Sequence, residues 1–293
     1  MFRGFESKCV DLGDVTIHFA IGGRGPGLLL LHGNPQTHAM WHKIAPALAK
    51  HFTVVAADLR GQGDSSKPRG EDDHSNYSKR TMAHHQVELM GKLGFESFSV
   101  AGHDRGARVA HRLVLDHPDR VDKVAFLDIV PTLEMYEQTN RGFALLYWSN
   151  FFYAQPADLP ETMIASDPKR FVESNLFDFA RNDRDVFAEE AVSEYIRCFS
   201  DSAAIHAACE DYRASFSVDL GHDSVDRGRR IEKPALALWG ANGVMERCFD
   251  VIGMWRNKAS NVTGKALDAG HYLAEEQPEV TTRELLDFFA QRR

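Results

Sequence analysis

The chain has 293 residues, 43% of them hydrophobic, 10% aromatic and 26% charged, which is the mix of a folded protein with a sizeable core and excludes a disordered or fibrous one. A formal net charge of -8 argues against nucleic acid or an anionic membrane as the main partner, but leaves room for a small-molecule anionic substrate held by local arginines. The four leucines at 28–31 are the longest aliphatic run and are far too few to span a bilayer. No apolar secretory segment is visible near the N-terminus, and Cys9, Cys198, Cys209 and Cys248 form no CxxC pair. These features predict a cytoplasmic location, reduced thiols, no disulfide frame and no zinc site.

Residues 15–19 alternate as a β-strand and end at Gly22-Gly23-Arg24-Gly25-Pro26, with the leucine run following at once. This predicts a hairpin whose glycines supply the turn; no helix opens after them, so they are not a phosphate cradle. Helical spacing over 41–50 is followed by a buried strand over 52–57 and a polar loop over 58–73. A helix over 78–93 places Met82, Leu89 and Leu93 on one face and stops at Gly94. Its His84-His85 pair lacks metal-ligand spacing and reads as solvated face. A strand over 98–101, a helix over 105–116 and a strand over 124–127 complete the first part. Apolar strands alternating with helices imply a parallel sheet covered on both faces.

The alternation breaks after Pro131. Residues 132–215 hold helical segments and aromatic clusters without a convincing strand. Strands resume over 235–239 and 262–267, and a closing helix starts near Pro278. The pattern predicts an α/β core made of 1–131 and 216–293, interrupted by a helical cap at 132–215.

The most informative stretch is Val100-Ala101-Gly102-His103-Asp104-Arg105-Gly106: a strand, then Gly-x-Asp-x-Gly, then a helix. In the hydrolase form of this bend a serine takes the middle position, presented on a sharp strand-to-helix turn. Here the presented group is a carboxylate, kept ionised by the helix dipole. It cannot usefully attack an amide, but it can displace a leaving group from an sp³ carbon. A plain helix-capping aspartate is the competing reading. Leu31-His32-Gly33-Asn34-Pro35 follows an early strand, where an anion-stabilising loop is expected, and Gly270-His271 follows the last strand, where a general base is expected. Asp128, at the end of the 124–127 strand, is the natural acid to orient His271; the tip of the next strand offers no carboxylate until Glu246.

These segments, with Ala57-Asp58-Leu59-Arg60-Gly61, Ser65-Ser66-Lys67-Pro68, Asp116-His117-Pro118-Asp119-Arg120, Leu127-Asp128-Ile129-Val130-Pro131-Thr132 and Asp211-Tyr212-Arg213-Ala214, make the chain resemble the α/β-hydrolases, and within them the fluoroacetate (haloacetate) dehalogenases. The similarity runs end to end. It implies an α/β-hydrolase fold: a mostly parallel eight-stranded sheet with helices on both faces and an inserted helical cap. It also implies cofactor-free and metal-free hydrolysis of short 2-haloacids and a homodimer. In that scheme Asp104 attacks the carbon bearing the halogen, and His271, held by Asp128, activates the water that cleaves the resulting ester. Arg105 follows the nucleophile and Arg108 lies about one helical turn on, so both guanidinium groups are expected to face the substrate carboxylate.

The resemblance places the halide pocket at Asn34, Trp148, Ser149, Asn150 and Tyr212. Fluoroacetate-active relatives carry His-Trp where this chain has Ser149-Asn150, and an aromatic residue where it has Asn34. Chloro- or bromoacetate is therefore expected to be preferred over fluoroacetate. The competing enzyme reading is an epoxide hydrolase using the same Asp104, His271 and Asp128, with Tyr212 and either Tyr147 or Tyr153 protonating the epoxide oxygen. A non-catalytic receptor on the same scaffold is opposed by the intact Asp104, His271 and Asp128 set.

Overall fold

The computed structural model describes residues 1–180 and 183–290. Eight strands form one sheet: β1 (Phe5–Asp11), β2 (Thr16–Gly23), β3 (Gly27–Leu31), β4 (Thr53–Ala57), β5 (Phe98–His103), β6 (Val121–Leu127), β7 (Ala235–Gly240) and β8 (Val262–Leu267). Their spatial order is β1-β2-β4-β3-β5-β6-β7-β8. The β1/β2 and β2/β4 pairs are antiparallel and every other pair is parallel.

The expected hairpin between β2 and β3 does not form. β4 lies between them, pairing antiparallel with β2 and parallel with β3. The reason is burial. All five residues of β3 are buried, so β3 needs a neighbour on both edges and takes β4 and β5. The true hairpin joins β2 to β1, a strand too exposed to show an apolar pattern in sequence.

Alternate residues of β3 feed two cores. Leu29 and Leu31 join the cluster on one face of the sheet, and Leu28 and Leu30 the cluster on the other. Helices cover both. The helix Lys79–Lys92 is capped by the Ser78 side chain, which accepts from the Thr81 N–H. His85 on that helix is buried against Asp14, with Nε2 3.2 Å from a carboxylate oxygen, rather than solvated; the rotation of about 100° between consecutive helix residues separates it from the exposed face that carries His84.

Between β6 and β7 the described residues are helical and contain no strand, from Thr132–Glu137 through Trp148–Tyr153, Pro168–Phe179 and Ser202–Phe216 to Val218–Val225. These helices lie over the C-terminal ends of the parallel strands, where open α/β sheets gather their functional groups. Among the described residues no helix is long and apolar enough to cross a membrane, and all four cysteines are free thiols.

Candidate active site

Asp104 turns the chain from β5 into the helix Arg105–Asp116 with φ +47° and ψ -115°, a conformation that L-residues rarely adopt. The glycines on either side let the bend close. A Cβ on Gly102 would meet the Gly106 carbonyl oxygen at 2.4 Å, and one on Gly106 would meet the Leu31 carbonyl oxygen at 2.4 Å. The capping reading of Asp104 fails, because its side chain makes no capping hydrogen bond. One carboxylate oxygen accepts from the Asn34 backbone N–H at 3.2 Å. The other accepts from the Tyr147 hydroxyl at 3.3 Å and lies 3.9 Å from His271 Nε2. Burial would raise this carboxyl, but His271 and the Arg105 guanidinium outweigh it and hold the group at about 2.

His271 follows β8, and Asp128, with φ +53°, follows β6. His271 Nδ1 donates to Asp128 Oδ2 at 2.5 Å, and Asp128 Oδ1 accepts from the Gly240 N–H at 2.8 Å. Burial opposes a charge on His271; the hydrogen bond and charge of Asp128 overcome it and raise the imidazole above its ordinary 6.5. Glu246 is engaged elsewhere, accepting from the Trp239 indole N–H. Glu276, which sequence reading missed, brackets the histidine loop by accepting from Gly270 N–H at 2.6 Å and Tyr272 N–H at 2.9 Å. Its position on the short helix Leu273–Glu276, one turn after His271, was the available signal.

A small cavity opens on Asp104 and His271 and is walled by Asn34, Tyr147, Ser149, Asn150 and Tyr212, with Asn175, Phe179 and Tyr272 completing it. Asn175 and Phe179 sit four apart on one helix face and carried no motif. The side-chain amide of Asn34 donates to Tyr153 Oη at 2.9 Å, and the Tyr153 ring stacks on Tyr212 with centroids 4.5 Å apart. Trp148 departs from expectation. It is 43% exposed and lines a surface hollow with Leu145 and Arg247, because it opens the helix Trp148–Tyr153 on the side opposite to buried Ser149 and Asn150.

Arg105 and Arg108 are buried beside the cavity but not among its wall residues. Arg105 Nε donates to Asp211 Oδ2 at 2.6 Å and Nη2 to Asp211 Oδ1 at 3.0 Å, while its Cζ lies 4.1 Å from the Tyr212 ring centroid. Arg108 donates to Thr132 Oγ1 at 2.8 Å, Met135 Sδ at 3.2 Å and Val130 O at 3.4 Å. Arg105 Nη1 and Arg108 Nε are buried without a partner among the described residues.

An eight-stranded, mostly parallel sheet bearing an acid on its strand-to-helix elbow defines an α/β-hydrolase. The family model for the alpha/beta hydrolase fold matches residues 26–278, and the chain belongs to that family. It is 47% identical over 293 residues to a fluoroacetate dehalogenase from Burkholderia sp, covering 100% of this chain and 96% of the relative. It is 34% identical to a soluble epoxide hydrolase from Corynebacterium sp. (strain C12), covering 94% and 93% of the two chains. A crystal structure from Nostoc sp PCC 7120, provisionally described as an alpha/beta hydrolase, matches with 52% identity and a TM-score of 0.98 over 100% of both chains. The resemblance drawn from the motifs is borne out.

Proposed function

We propose that this chain hydrolyses short 2-haloacids, converting a haloacetate and water into glycolate and halide through a covalent ester on Asp104. The observation that carries the reading is the state of Asp104: ionised, free of any capping role, and facing a histidine whose other nitrogen is fixed by Asp128. A carboxylate so placed attacks the carbon bearing the halogen from behind, forming a C–O bond as the carbon–halogen bond breaks. His271 then takes a proton from water, the hydroxide adds to the ester carbonyl, and Asp104 is regenerated as the 2-hydroxy acid leaves. Asp128 holds the tautomer and stabilises the imidazolium.

The leaving halide needs hydrogen-bond donors. Tyr212 Oη and Ser149 Oγ belong to cavity-wall residues and make no hydrogen bond to other described residues, so both are free to donate. Fluoride is small, strongly hydrated and a poor leaving group; losing one well-aimed donor costs ~1.5–3 kcal/mol, or roughly 10- to 150-fold in rate. Ser149 and Asn150, standing where the fluoroacetate-active pattern has His-Trp, therefore favour chloride and bromide. Bringing a substrate carboxylate to ~4 Å from Asp104 costs about 4 kcal/mol at an effective dielectric of ~20, which the nearby Arg108 charge and the free Arg105 Nη1 offset.

One observation favours a second reading. The Tyr147 hydroxyl on Asp104 would also protonate the oxygen of an epoxide opened by that carboxylate, as the 34% identity to an epoxide hydrolase suggests. Halide release from fluoro-, chloro- and bromoacetate, run beside diol formation from styrene oxide and with Asp104→Ala as the blank, separates the two. Under single turnover in ¹⁸O-water the first product molecule should be unlabelled; label in that molecule means direct attack by water and ends the ester scheme.

A further inference from the structure

We propose that Asp211 and Lys79 are positioning residues of this site, acting through Arg105, and that the division of charge they impose leaves Arg108 to supply the net attraction for an anionic substrate. The inference rests on the haloacid reading above. Asp211 belongs to the helix Ser202–Phe216, whereas Lys79 and Arg105 start two helices of the sheet layer. All three side chains are buried. Asp211 grips Arg105 in the two-point geometry that fixes a guanidinium plane, and the Ser215 hydroxyl and the Asp211 carbonyl engage Nη2 as well. Lys79 Nζ contacts Asp211 Oδ1 and lies 3.2 Å from Asp219 Oδ2; its backbone N–H donates to Asp219 Oδ1 at 2.8 Å.

The charges in this cluster cancel. Lys79 and Arg105 bring two positive charges, and Asp211 and Asp219 bring two negative ones. Arg105 is thereby charge-balanced within the cluster and locked as a pointer, with Nη1 the donor left over. Arg108 differs: its described partners, Thr132, Met135 and Val130, are all neutral. A buried cation without a carboxylate partner attracts an anion; a buried cation that already has one only orients it.

This separates binding from alignment. Lys79→Met leaves Asp211 gripping Arg105 but makes the cluster net negative, so KM for chloroacetate should rise about tenfold with kcat within a few-fold. Lys79→Arg should restore it. Asp211→Asn keeps attraction but frees the guanidinium, so kcat should fall about tenfold without a rise in KM. Chloroacetamide, neutral and similar in size, is assayed in the same preparations; a loss of folded protein lowers both substrates equally and leaves their ratio untouched. The expected result is a fall in the chloroacetate-to-chloroacetamide ratio of kcat/KM in both Lys79→Met and Asp211→Asn. Parallel losses for the two substrates in both variants overturn the inference and make the network structural only. Wild-type protein that shows no preference for chloroacetate over chloroacetamide overturns the haloacid reading itself.

Discussion

His271 Nδ1 and Asp128 Oδ2 lie 2.5 Å apart although 143 positions separate them in the chain. The second oxygen of Asp128 is pinned by the Gly240 N–H, so the carboxylate ties the tip of β7 to the imidazole. Glu276 and the Phe179 carbonyl, which accepts from His271 N–H at 3.1 Å, fix the loop from the other side. Nε2 is left facing Asp104 at 3.9 Å, beyond direct hydrogen bonding and within reach of a water between them.

The pair sets the pH dependence of turnover. Protonated His271 cannot accept the proton of water, so kcat should fall as pH drops through its raised pKa. Asp104, held at about 2, sets no limb in the working range. Asp128→Asn removes the anion that raises His271; the acid limb should move to lower pH and the plateau drop roughly 10²- to 10⁴-fold. An unmoved limb in the kcat profile would show that Asp128 does not raise the His271 imidazole.

Removing the base should stop the cycle halfway. His271→Ala should still be alkylated by chloroacetate, and the adduct should survive and appear in the intact-protein mass on a peptide containing Asp104. An unmodified mass after prolonged incubation is the contrary outcome.

Tyr147 distinguishes the two chemistries. Its hydroxyl touches Asp104, and burial together with that carboxylate keeps it protonated far above neutral pH. Tyr147→Phe should reduce epoxide opening by about 10²-fold or more while chloroacetate turnover stays within a few-fold. A collapse of both activities would assign the hydroxyl to positioning the nucleophile.

Halogen preference should follow the short helix Trp148–Tyr153. Ser149→His combined with Asn150→Trp refills the cavity wall with larger donors and should raise the fluoroacetate-to-chloroacetate ratio of kcat/KM about tenfold or more. An unchanged ratio places the halide away from these residues.

Gly102→Ala tests the elbow itself. The added methyl meets the Gly106 carbonyl oxygen at 2.4 Å, so the helix start must shift. Overpacking of this kind costs about 1–3 kcal/mol, seen as a lower thermal midpoint, and activity should be lost with it.

Among the strands that sequence reading located, β5 and β7 are buried along their whole length. β8 and the helix Arg105–Asp116 have the predicted bounds, and β5, β6 and β7 differ by a few residues at their ends. Continuous apolar runs report burial directly. β1 gave no such run, since most of its residues are exposed, and the β2–β3 hairpin was misread because adjacency in sequence says nothing about a later strand inserting between neighbours. At the site, the convergence of Asp104, Asp128 and His271 was legible because each follows the C-terminal end of a strand. The commitment of Arg105 to Asp211 was not, because it depends on a contact spanning 106 positions between separate helices. Nor was the outward face of Trp148, which a helix of six residues is too short to reveal as a pattern.

Asp104, Asp128 and His271 all follow strands of the sheet, whereas Ser149, Asn150, Asp211 and Tyr212 arrive on helices threaded between β6 and β7. On the proposed chemistry, reactivity and taste are inherited on different stretches of one gene. Exchanging the intervening helices as a block would carry the recognition code, including its grip on Arg105, onto an unaltered chemical engine. Single replacements drawn from a foreign block would leave that grip half made.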